Sequence, residues 1–230
     1  MKIAGLLKTT LLDYPGHVAA TAFLGGCNMR CPFCHNRELV GDTEELYTKE
    51  QFFIFLNKRK GILDGVCVSG GEPTIHPELP DLIKEIKELG YLVKLDTNGT
   101  NPDMLHYLIQ EGLIDYAAMD VKSGLSSYVS CCGCEASINS ILKSIEILKQ
   151  HRIPYEFRTT VVAELHGQND MLEIGNMLQG ASNYFLQSFV PSEQVPADLF
   201  HAPSMEVLKE YQRTLKPLIP NTFIRGETYF

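Results

Sequence analysis

Three cysteines stand at a spacing that suits an iron–sulfur cluster. Cys27, Cys31 and Cys34 lie in the run CNMRCPFC, directly after a short apolar segment. Three thiolates on one short loop can ligate three irons of a four-iron, four-sulfur cubane, and this motif then leaves the fourth iron without a protein ligand. A catalytic metal needs such an open coordination position, as catalytic zinc sites do. The spacing therefore predicts a catalytic cluster.

Three other interpretations of these cysteines stay open on local grounds. Cys31, Cys34 and His35 also spell C-x-x-C-H, a haem attachment pattern, although that pattern leaves Cys27 unexplained. A structural zinc site needs a fourth ligand, which His35 or a distant cysteine could supply. The remaining alternative is a set of three buried free thiols.

Polar and glycine residues also fall at the ends of the later predicted strands. They are Ser69, Gly70, Gly71, Glu72 and Pro73 after the second strand, Asp96, Thr97, Asn98 and Gly99 after the third, Asp120 and Lys122 at the fourth, Arg158 in the fifth and Gln187 in the sixth. Each feature alone fits a turn, a cap or an ordinary ion pair. In a barrel of parallel strands, however, the carboxyl ends meet at the face that carries the active site. Their joint placement therefore predicts one shared site.

The elements that would position these residues alternate along the chain. Apolar runs predict strands over residues 18–24, 65–68, 91–95, 116–121, 155–162 and 184–190, with 222–225 as one more short strand. Helical spacing or capping residues predict helices over 48–57 and 78–89, and further helices opened by Pro102, Ser137 and Ser204. Such alternation favours parallel strands with helical crossovers. We expect an α/β fold, a partial, laterally open (β/α)6 barrel forming one domain over 1–230, with a doubly wound sheet as the alternative.

Charge and composition argue against several classes of partner. The chain has 230 residues and a formal net charge of −8 at pH 7, which suits neither nucleic acid nor an anionic membrane. No apolar run of about 18 residues predicts a membrane span. Asp13 and Pro15 interrupt the short apolar stretch at the start, so it does not resemble a signal peptide. We therefore expect a cytoplasmic protein with free thiols.

A second cysteine group lies about a hundred residues further along. Cys131, Cys132 and Cys134 follow the fourth predicted strand, and Cys67 stands alone between the two groups. We interpret the second group as free thiols in a loop, with a metal or redox role as the alternative.

The sequence resembles the radical S-adenosylmethionine superfamily and, within it, the activating proteins of glycyl radical enzymes. The likeness covers nearly the whole chain and rests on five segments, which are LLDYPG at 11–16, CHN at 34–36, GGEP at 70–73, LDTNG at 95–99 and MDVK at 119–122. The subgroup that activates anaerobic ribonucleoside-triphosphate reductase looks nearest. Some relatives carry a ferredoxin-like insert before GGEP, and this chain does not.

The resemblance implies a role for each matching position. Cys27, Cys31 and Cys34 would ligate the cluster, and S-adenosylmethionine would chelate its fourth iron. Gly70, Gly71 and Glu72 would bind the methionine amino group, and Phe33 would border the adenine. The other cofactor-binding candidates are Asp96, Asn98, Asp120, Lys122, Arg158 and Gln187, with Asp96 and Lys122 also the catalytic candidates. A monovalent cation would lie near Asp96, Thr97 and Asp120. Some relatives place a histidine in the region of Gln187.

The resemblance also implies a reaction and its partners. An electron from flavodoxin or ferredoxin would lead to cleavage of S-adenosylmethionine, and the resulting 5′-deoxyadenosyl radical would take hydrogen from a glycine of the partner enzyme. Two alternatives remain, a radical S-adenosylmethionine enzyme with a small-molecule substrate and a non-catalytic iron–sulfur or zinc module. Short loops leave little chain to enclose a small substrate. We expect the irregular stretch PSEQVPADLFHAP, after Val190, to contact a protein partner.

Overall fold

In the part of the chain that the structure describes, eight strands form a single sheet and follow one another across it in chain order. The computed structural model describes residues 1–41, 43–135, 137–191, 195 and 199–226. The strands in this part of the chain are β1 (Ile3–Thr10), β2 (Ala19–Leu24), β3 (Gly65–Gly70), β4 (Leu92–Thr97), β5 (Tyr116–Asp120), β6 (Tyr155–Val161), β7 (Tyr184–Ser188) and β8 (Thr222–Ile224). β1 runs antiparallel to β2, and every later neighbour is parallel. β1 and β8 are the two edges, so the barrel is open.

Helical crossovers connect the parallel strands. The helices are α1 (Lys49–Lys58), α2 (Leu79–Glu88), α3 (Pro102–Gln110), α4 (Tyr128–Cys132), α5 (Ile138–Lys149), α6 (Gln168–Met177) and α7 (Met205–Leu215). A capping box begins α1, because the Thr48 hydroxyl accepts from the Gln51 amide while the Gln51 side chain accepts from the Thr48 amide. α2 buries Leu79, Leu82 and Ile83, which lie on one helical face. None of the described helices is long and apolar enough to cross a bilayer.

The predicted open barrel is confirmed. The six predicted strands correspond to β2–β7, and the seventh, short strand corresponds to β8. A doubly wound sheet would reverse its strand order at one point, and this sheet does not. The sequence pattern did not predict β1, α4 or α6. β1 is an edge strand whose Ile3 and Ala4 are buried while Lys8 and Thr9 are exposed, so it lacks the continuous apolar run of a buried parallel strand.

The two faces of the sheet carry different side chains. The outer face packs under the helices through apolar residues such as Val66, Val68, Val93 and Leu95. The inner face is partly polar. Lys94 is 1% exposed, and its Nζ lies 3.8 Å from the Cys67 Sγ and 6.0 Å from the centre of the Tyr116 ring. The Tyr116 hydroxyl in turn donates to Glu156 at 3.0 Å. Charged groups therefore continue from the inside of the barrel to its carboxyl end.

Candidate functional site

The cysteine loop follows β2 and forms one wall of a cavity of about 480 Å³ at the carboxyl ends of the strands. Cys27, Cys31 and Cys34 all line this cavity. Within the loop, the Cys34 amide donates to the Cys31 carbonyl at 3.1 Å, and the Met29 amide donates to the Cys27 Sγ at 3.4 Å. The three thiols are therefore presented to one space by a compact turn.

Every residue that the sequence predicted for the cluster or the cofactor lines this cavity. Five further residues that line the cavity were not predicted from the sequence, namely Val40, Thr160, Ser188, Phe189 and Val190. Thr160 lies two residues beyond Arg158 in β6, and Ser188 ends β7, next to Gln187. Strand alternation places Arg158 and Thr160 on the same face, so an extension of that period would have found Thr160.

Gly70 and Gly71 allow two chain segments to approach each other closely. A Cβ atom on Gly70 would lie 2.3 Å from backbone atoms of Leu24, and one on Gly71 would lie 2.0 Å from the Gly26 carbonyl oxygen. The Gly71 amide donates to the Leu24 carbonyl at 2.9 Å, and the Glu72 amide donates to the Gly26 carbonyl at 2.8 Å. Gly70 also has a φ of +123°, a region that favours glycine. The glycine pair thus holds the start of the cysteine loop against the end of β3.

The Glu72 carboxylate ties the segment after β3 to the end of β4. Glu72 is 1% exposed. It accepts hydrogen bonds from the Thr97 hydroxyl at 2.7 Å, the Asn98 amide at 2.6 Å, the Thr74 amide at 3.1 Å and the Thr74 hydroxyl. Burial raises the pKa of Glu72, and these donors oppose that shift. Glu72 therefore positions neighbouring backbone, and Thr97 directs its hydroxyl to Glu72.

Asp96 lies between two cations at the end of β4. It accepts hydrogen bonds from Ser69 Oγ at 3.0 Å, from Arg158 Nη1 at 3.4 Å and from Lys94 Nζ. Burial alone would raise the pKa of Asp96, but Arg158 and Lys94 outweigh burial and lower it. Asp96 therefore stays ionised, and it has a structural role in neutralising Lys94 that the sequence did not indicate.

Arg158 extends this row of ion pairs from Asp96 towards the cysteine loop. Its Nε donates to Asp120 Oδ1 at 2.8 Å, and Asp120 Oδ2 accepts from Lys122 Nζ at 3.1 Å. Burial opposes ionisation of all three groups, but the opposite charges dominate, so the pKa of Asp120 is lowered and that of Lys122 is raised. The Lys122 ammonium also acts electrostatically on the Cys31 thiol. The ion pairs that link Asp96, Arg158, Asp120 and Lys122 therefore place fixed charges along the cavity wall.

His166 supports this wall from behind, and sequence reasoning missed it. The Val162 amide donates to His166 Nδ1 at 3.0 Å, and the opposite ring nitrogen, Nε2, donates to the Lys122 carbonyl at 2.8 Å. The His166 ring also packs edge-on against Phe33, with ring centres 6.2 Å apart. His166 is 3% exposed. A single histidine in a loop carries no sequence signal for this role.

The cysteine loop is also linked to the residues after β4. Asn98 Nδ2 donates to Asn28 Oδ1 at 3.0 Å, and Asn28 Nδ2 donates to the Thr100 hydroxyl at 2.8 Å. The predicted cofactor residue Asn98 therefore lines the cavity and also supports the loop.

Burial keeps two of the three thiols of the cysteine loop protonated. It raises the pKa of Cys27 and raises that of Cys31 to about 12, so both are protonated at neutral pH in the metal-free protein. Iron binding must therefore displace these protons. Within the described residues, no three Cys, His, Asp or Glu side chains are arranged around a single metal ion. A cubane places each thiolate on a different iron, so three partly exposed thiols on one loop fit its requirements.

The second cysteine group lies partly in a helix rather than in the predicted loop. Cys131 and Cys132 belong to α4 and are fully buried, and Cys134 follows in the next turn. None of the seven cysteines forms a disulfide bond.

Comparisons with known proteins identify the family to which this site belongs. A sequence profile described as Radical SAM superfamily matches residues 21–175. A protein of Methanocaldococcus jannaschii named "Putative glycyl-radical enzyme activating enzyme" is 33% identical over 230 residues, which covers 97% of this chain and 95% of that protein. The pyruvate formate-lyase-activating enzyme of Clostridium pasteurianum is 37% identical over 129 residues, 53% of this chain and 52% of that enzyme.

A solved structure supports the fold independently. Streptococcus suis SuiB bound to S-adenosylmethionine superposes with a TM-score of 0.68 over 87% of this chain and 48% of SuiB, at 13% identity. At that identity the likeness concerns the fold alone. The resemblance found in the sequence is confirmed by the family profile and by a relative that matches nearly the full length. The chain belongs to the radical SAM superfamily.

Proposed function

We propose that this protein is an activase that cleaves S-adenosylmethionine reductively and generates a glycyl radical on a partner enzyme. The observation that carries the proposal is the single cavity beside the cysteine loop, which collects every predicted cluster and cofactor residue at the open end of the barrel. The M. jannaschii relative supports the same activity, because its similarity extends over 97% of this chain.

Cys27, Cys31 and Cys34 are the residues that would hold the cluster. A bound four-iron, four-sulfur cluster would supply the electron for cleavage of a carbon–sulfur bond of S-adenosylmethionine, and the products would be methionine and the 5′-deoxyadenosyl radical. The protein contributes the loop geometry, the exclusion of water by Met29 and Phe33, which are 2% and 5% exposed, and the charged wall.

The chain's own residues would bind S-adenosylmethionine along that wall. The backbone at Gly70–Glu72 faces the cavity where the methionine amino group would lie, and Phe33, supported by His166, would border the adenine. Asp96 and Lys122 remain the catalytic candidates, since they are charged groups at the ends of β4 and β5. Asn98, Asp120, Arg158 and Gln187 complete the proposed cofactor-binding set.

A monovalent cation near Asp96, Thr97 and Asp120 stays a prediction. Arg158 already bridges the two carboxylates, and Thr97 donates to Glu72, so a cation would compete with Arg158. The yield of 5′-deoxyadenosine would be compared in sodium, potassium and bulky organic cation buffers. Equal yields would dismiss the cation.

The proposed partner is a glycyl radical enzyme, with anaerobic ribonucleotide reductase as our first candidate. Val190 lines the cavity and is 61% exposed, and Leu199 nearby in the chain is 57% exposed, so apolar contacts with a protein are available. Six of the thirteen residues of PSEQVPADLFHAP, predicted to contact the partner, lie outside the described residues. We further propose flavodoxin or ferredoxin as electron donor, a single domain over 1–230 and a cytoplasmic location.

Isotope transfer tests this function. The reduced, cluster-loaded enzyme would be incubated without oxygen with S-adenosylmethionine and the host's anaerobic ribonucleotide reductase, which carries deuterated glycine. We expect a glycyl doublet in the electron paramagnetic resonance spectrum and deuterium in 5′-deoxyadenosine. A reductase with alanine at the radical position is the matched control, and it should give neither signal. Absence of transfer to any glycyl radical protein, together with turnover of a small molecule, would overturn the proposal.

A further inference from the structure

Cys132 and Cys134 form a close thiol pair at the end of α4. Their Sγ atoms are 3.9 Å apart. Gly133 between them has a φ of +66°, and this left-handed turn ends the helix and brings the two side chains together. A disulfide requires sulfur atoms about 2.0 Å apart. The two sulfur atoms are thus in van der Waals contact and must approach each other by about 1.9 Å to bond.

This turn packs directly against the cysteine loop. The Arg30 amide donates to the Cys132 carbonyl at 2.8 Å, and the Cys134 thiol donates to the Asn28 carbonyl at 3.5 Å. A Cβ atom on Gly133 would lie 2.0 Å from the Arg30 carbonyl oxygen, so only glycine fits at this contact. Asn28 and Arg30 lie between the cluster cysteines Cys27 and Cys31. A movement of the turn would therefore displace the cysteine loop, which would hold the cluster.

The two sulfur atoms differ in their access to solvent. Cys134 is partly exposed, whereas Cys132 is fully buried. Cys131 is also buried, but it packs on a separate apolar cluster with Phe33 and Val162, and its thiol is directed at the Leu165 carbonyl. The third cysteine therefore does not belong to the pair. An exposed thiol beside a buried one suits disulfide exchange, in which the first attacks and the second resolves.

We propose that Cys132 and Cys134 are a thiol–disulfide exchange site whose co-reactant is a low-molecular-weight disulfide, and that oxidation of this pair loosens the cysteine loop. The Cys134 thiolate attacks the external disulfide, forms a mixed disulfide and releases one thiol. The Cys132 sulfur then attacks the Cys134 sulfur, breaks the mixed disulfide and releases the second thiol. Two cysteine thiols are oxidised by two electrons, and the external disulfide is reduced to two thiols.

The geometry explains how oxidation would act on the loop. When the Cys132–Cys134 bond forms, the Cys134 sulfur loses the hydrogen that it donates to the Asn28 carbonyl. The two sulfur atoms also move from 3.9 Å to bonding distance. This movement shifts the turn whose Cys132 carbonyl accepts the hydrogen bond from the Arg30 amide. A ring closed across a single residue is strained, and strained, partly exposed disulfides are readily reduced. The modification is therefore reversible.

Peptide mass spectrometry tests the site itself. The cluster-loaded protein would be incubated without oxygen in glutathione buffers of increasing oxidised fraction, quenched with acid, alkylated and digested with trypsin. Cleavage after Lys122 and Lys143 releases one peptide that contains Cys131, Cys132 and Cys134. We expect an oxidised form of this peptide with an alkyl group on Cys131 alone. A disulfide that includes Cys131, or no disulfide in fully oxidised glutathione, would overturn the proposed site.

Serine variants separate the two chemical steps. Cys132→Ser should accumulate glutathione on Cys134, because the resolving thiol is absent, and Cys134→Ser should form no disulfide within the peptide. Cys131→Ser is the matched control and should oxidise as the wild type does. Glutathione found on Cys132 rather than on Cys134 would contradict the assigned order of attack.

Retention of the cluster tests the coupling to the loop. In oxidised glutathione, we expect the visible absorbance of the cluster to decay about tenfold faster in the wild type than in Cys134→Ser, as after loss of an outer partner of a metal ligand. Equal decay in the two proteins would disprove the coupling. These measurements do not involve the partner enzyme, so their failure would leave the proposed glycyl radical activity untouched.

Discussion

The two ends of the barrel are built from the same strands but differ in what fills them. At the carboxyl ends, a cavity of about 480 Å³ is lined by thiols and by the charged groups Asp96, Asp120 and Lys122. At the amino ends, the space is packed by Tyr14, which is 2% exposed and whose ring centre lies 6.0 Å from that of Tyr116 and 4.7 Å from that of His17. One end therefore contains an open cavity, whereas packed side chains close the other.

The LLDYPG segment at 11–16 lies at the amino end of the barrel. Thr10, just before it, pairs with Ala19 at the first residue of β2. The cysteine loop begins beyond Leu24, at the opposite end of the same strand. A sequence likeness can therefore mark a stabilising element as well as a reactive one. In barrels of this kind, residues at the carboxyl ends serve catalysis and those at the amino ends serve stability.

Loss of a cluster thiol should have the largest effect. We expect Cys31→Ala to abolish cleavage of S-adenosylmethionine, because one iron loses its protein ligand, and Cys27→Ala and Cys34→Ala should do the same. Iron content and the yield of 5′-deoxyadenosine measure the effect. Under reducing conditions Cys134→Ser should keep both. If that control also loses the cluster, the ligand assignment is wrong.

Truncation at the closed end should instead act on stability. We expect Tyr14→Ala to lower the free energy of unfolding by about 3–5 kcal/mol, because it removes a buried aromatic ring and leaves a cavity. Tyr14→Phe keeps the ring and is the matched control. Denaturant titration measures stability, and S-adenosylmethionine binding is measured on the folded fraction. Lost affinity in Tyr14→Ala with an unchanged unfolding midpoint would break the distinction between the two ends.

Asp96 lines the cavity and also pairs with the buried Lys94. Its substitution should therefore affect both S-adenosylmethionine binding and stability. Asp96→Asn leaves the buried Lys94 ammonium without its carboxylate, so we expect a loss of about 3 kcal/mol at pH 7 as well as weaker S-adenosylmethionine binding. Despite burial, Arg158 and Lys94 hold the folded-state pKa of Asp96 below its ordinary value of 3.8. The ionised carboxylate therefore stabilises the fold above pH 3.8, and the gap between wild type and variant should narrow as the pH falls further.

Denaturant titrations at pH 7 and at successively lower pH measure this gap. Asp103→Asn is the control, because Asp103 pairs with Lys143 on the surface and should not change the stability. Equal stability of wild type and Asp96→Asn at pH 7 would show that Lys94 does not depend on Asp96.

The smallest effect is expected at the exposed residues of the closed end. Leu12 is 80% exposed, so Leu12→Ser should change the free energy of unfolding by less than about 0.5 kcal/mol. The yield of glycyl radical on the partner should also stay unchanged, because this end lies away from the cavity. The radical yield would be compared for wild type and variant at equal cluster content. A clear fall in Leu12→Ser would move the partner's docking surface to the amino end.

The structure confirms the open barrel and leaves the assigned residue roles as proposals. The cysteine spacing and the strand-end positions of Gly70, Asp96 and Lys122 are local signals, so they could be predicted from the sequence. The strand β1 could not be predicted, because three of its eight residues are exposed and its apolar pattern is broken. His166 could not be predicted either, because its role depends on the Lys122 carbonyl, 44 residues earlier in the chain.

The sequence by itself determined the cysteine loop, the alternation of strands and helices that makes an open parallel barrel, and the set of residues at the carboxyl ends of its strands. The tertiary structure alone decided which of these residues meet. Strand register places Arg158 opposite Asp120 and within reach of Asp96, 62 residues away in the chain. The fold also seats the Cys132–Cys134 turn on Arg30. Such contacts depend on register and on close approach of distant backbone segments, which no local period of the sequence encodes.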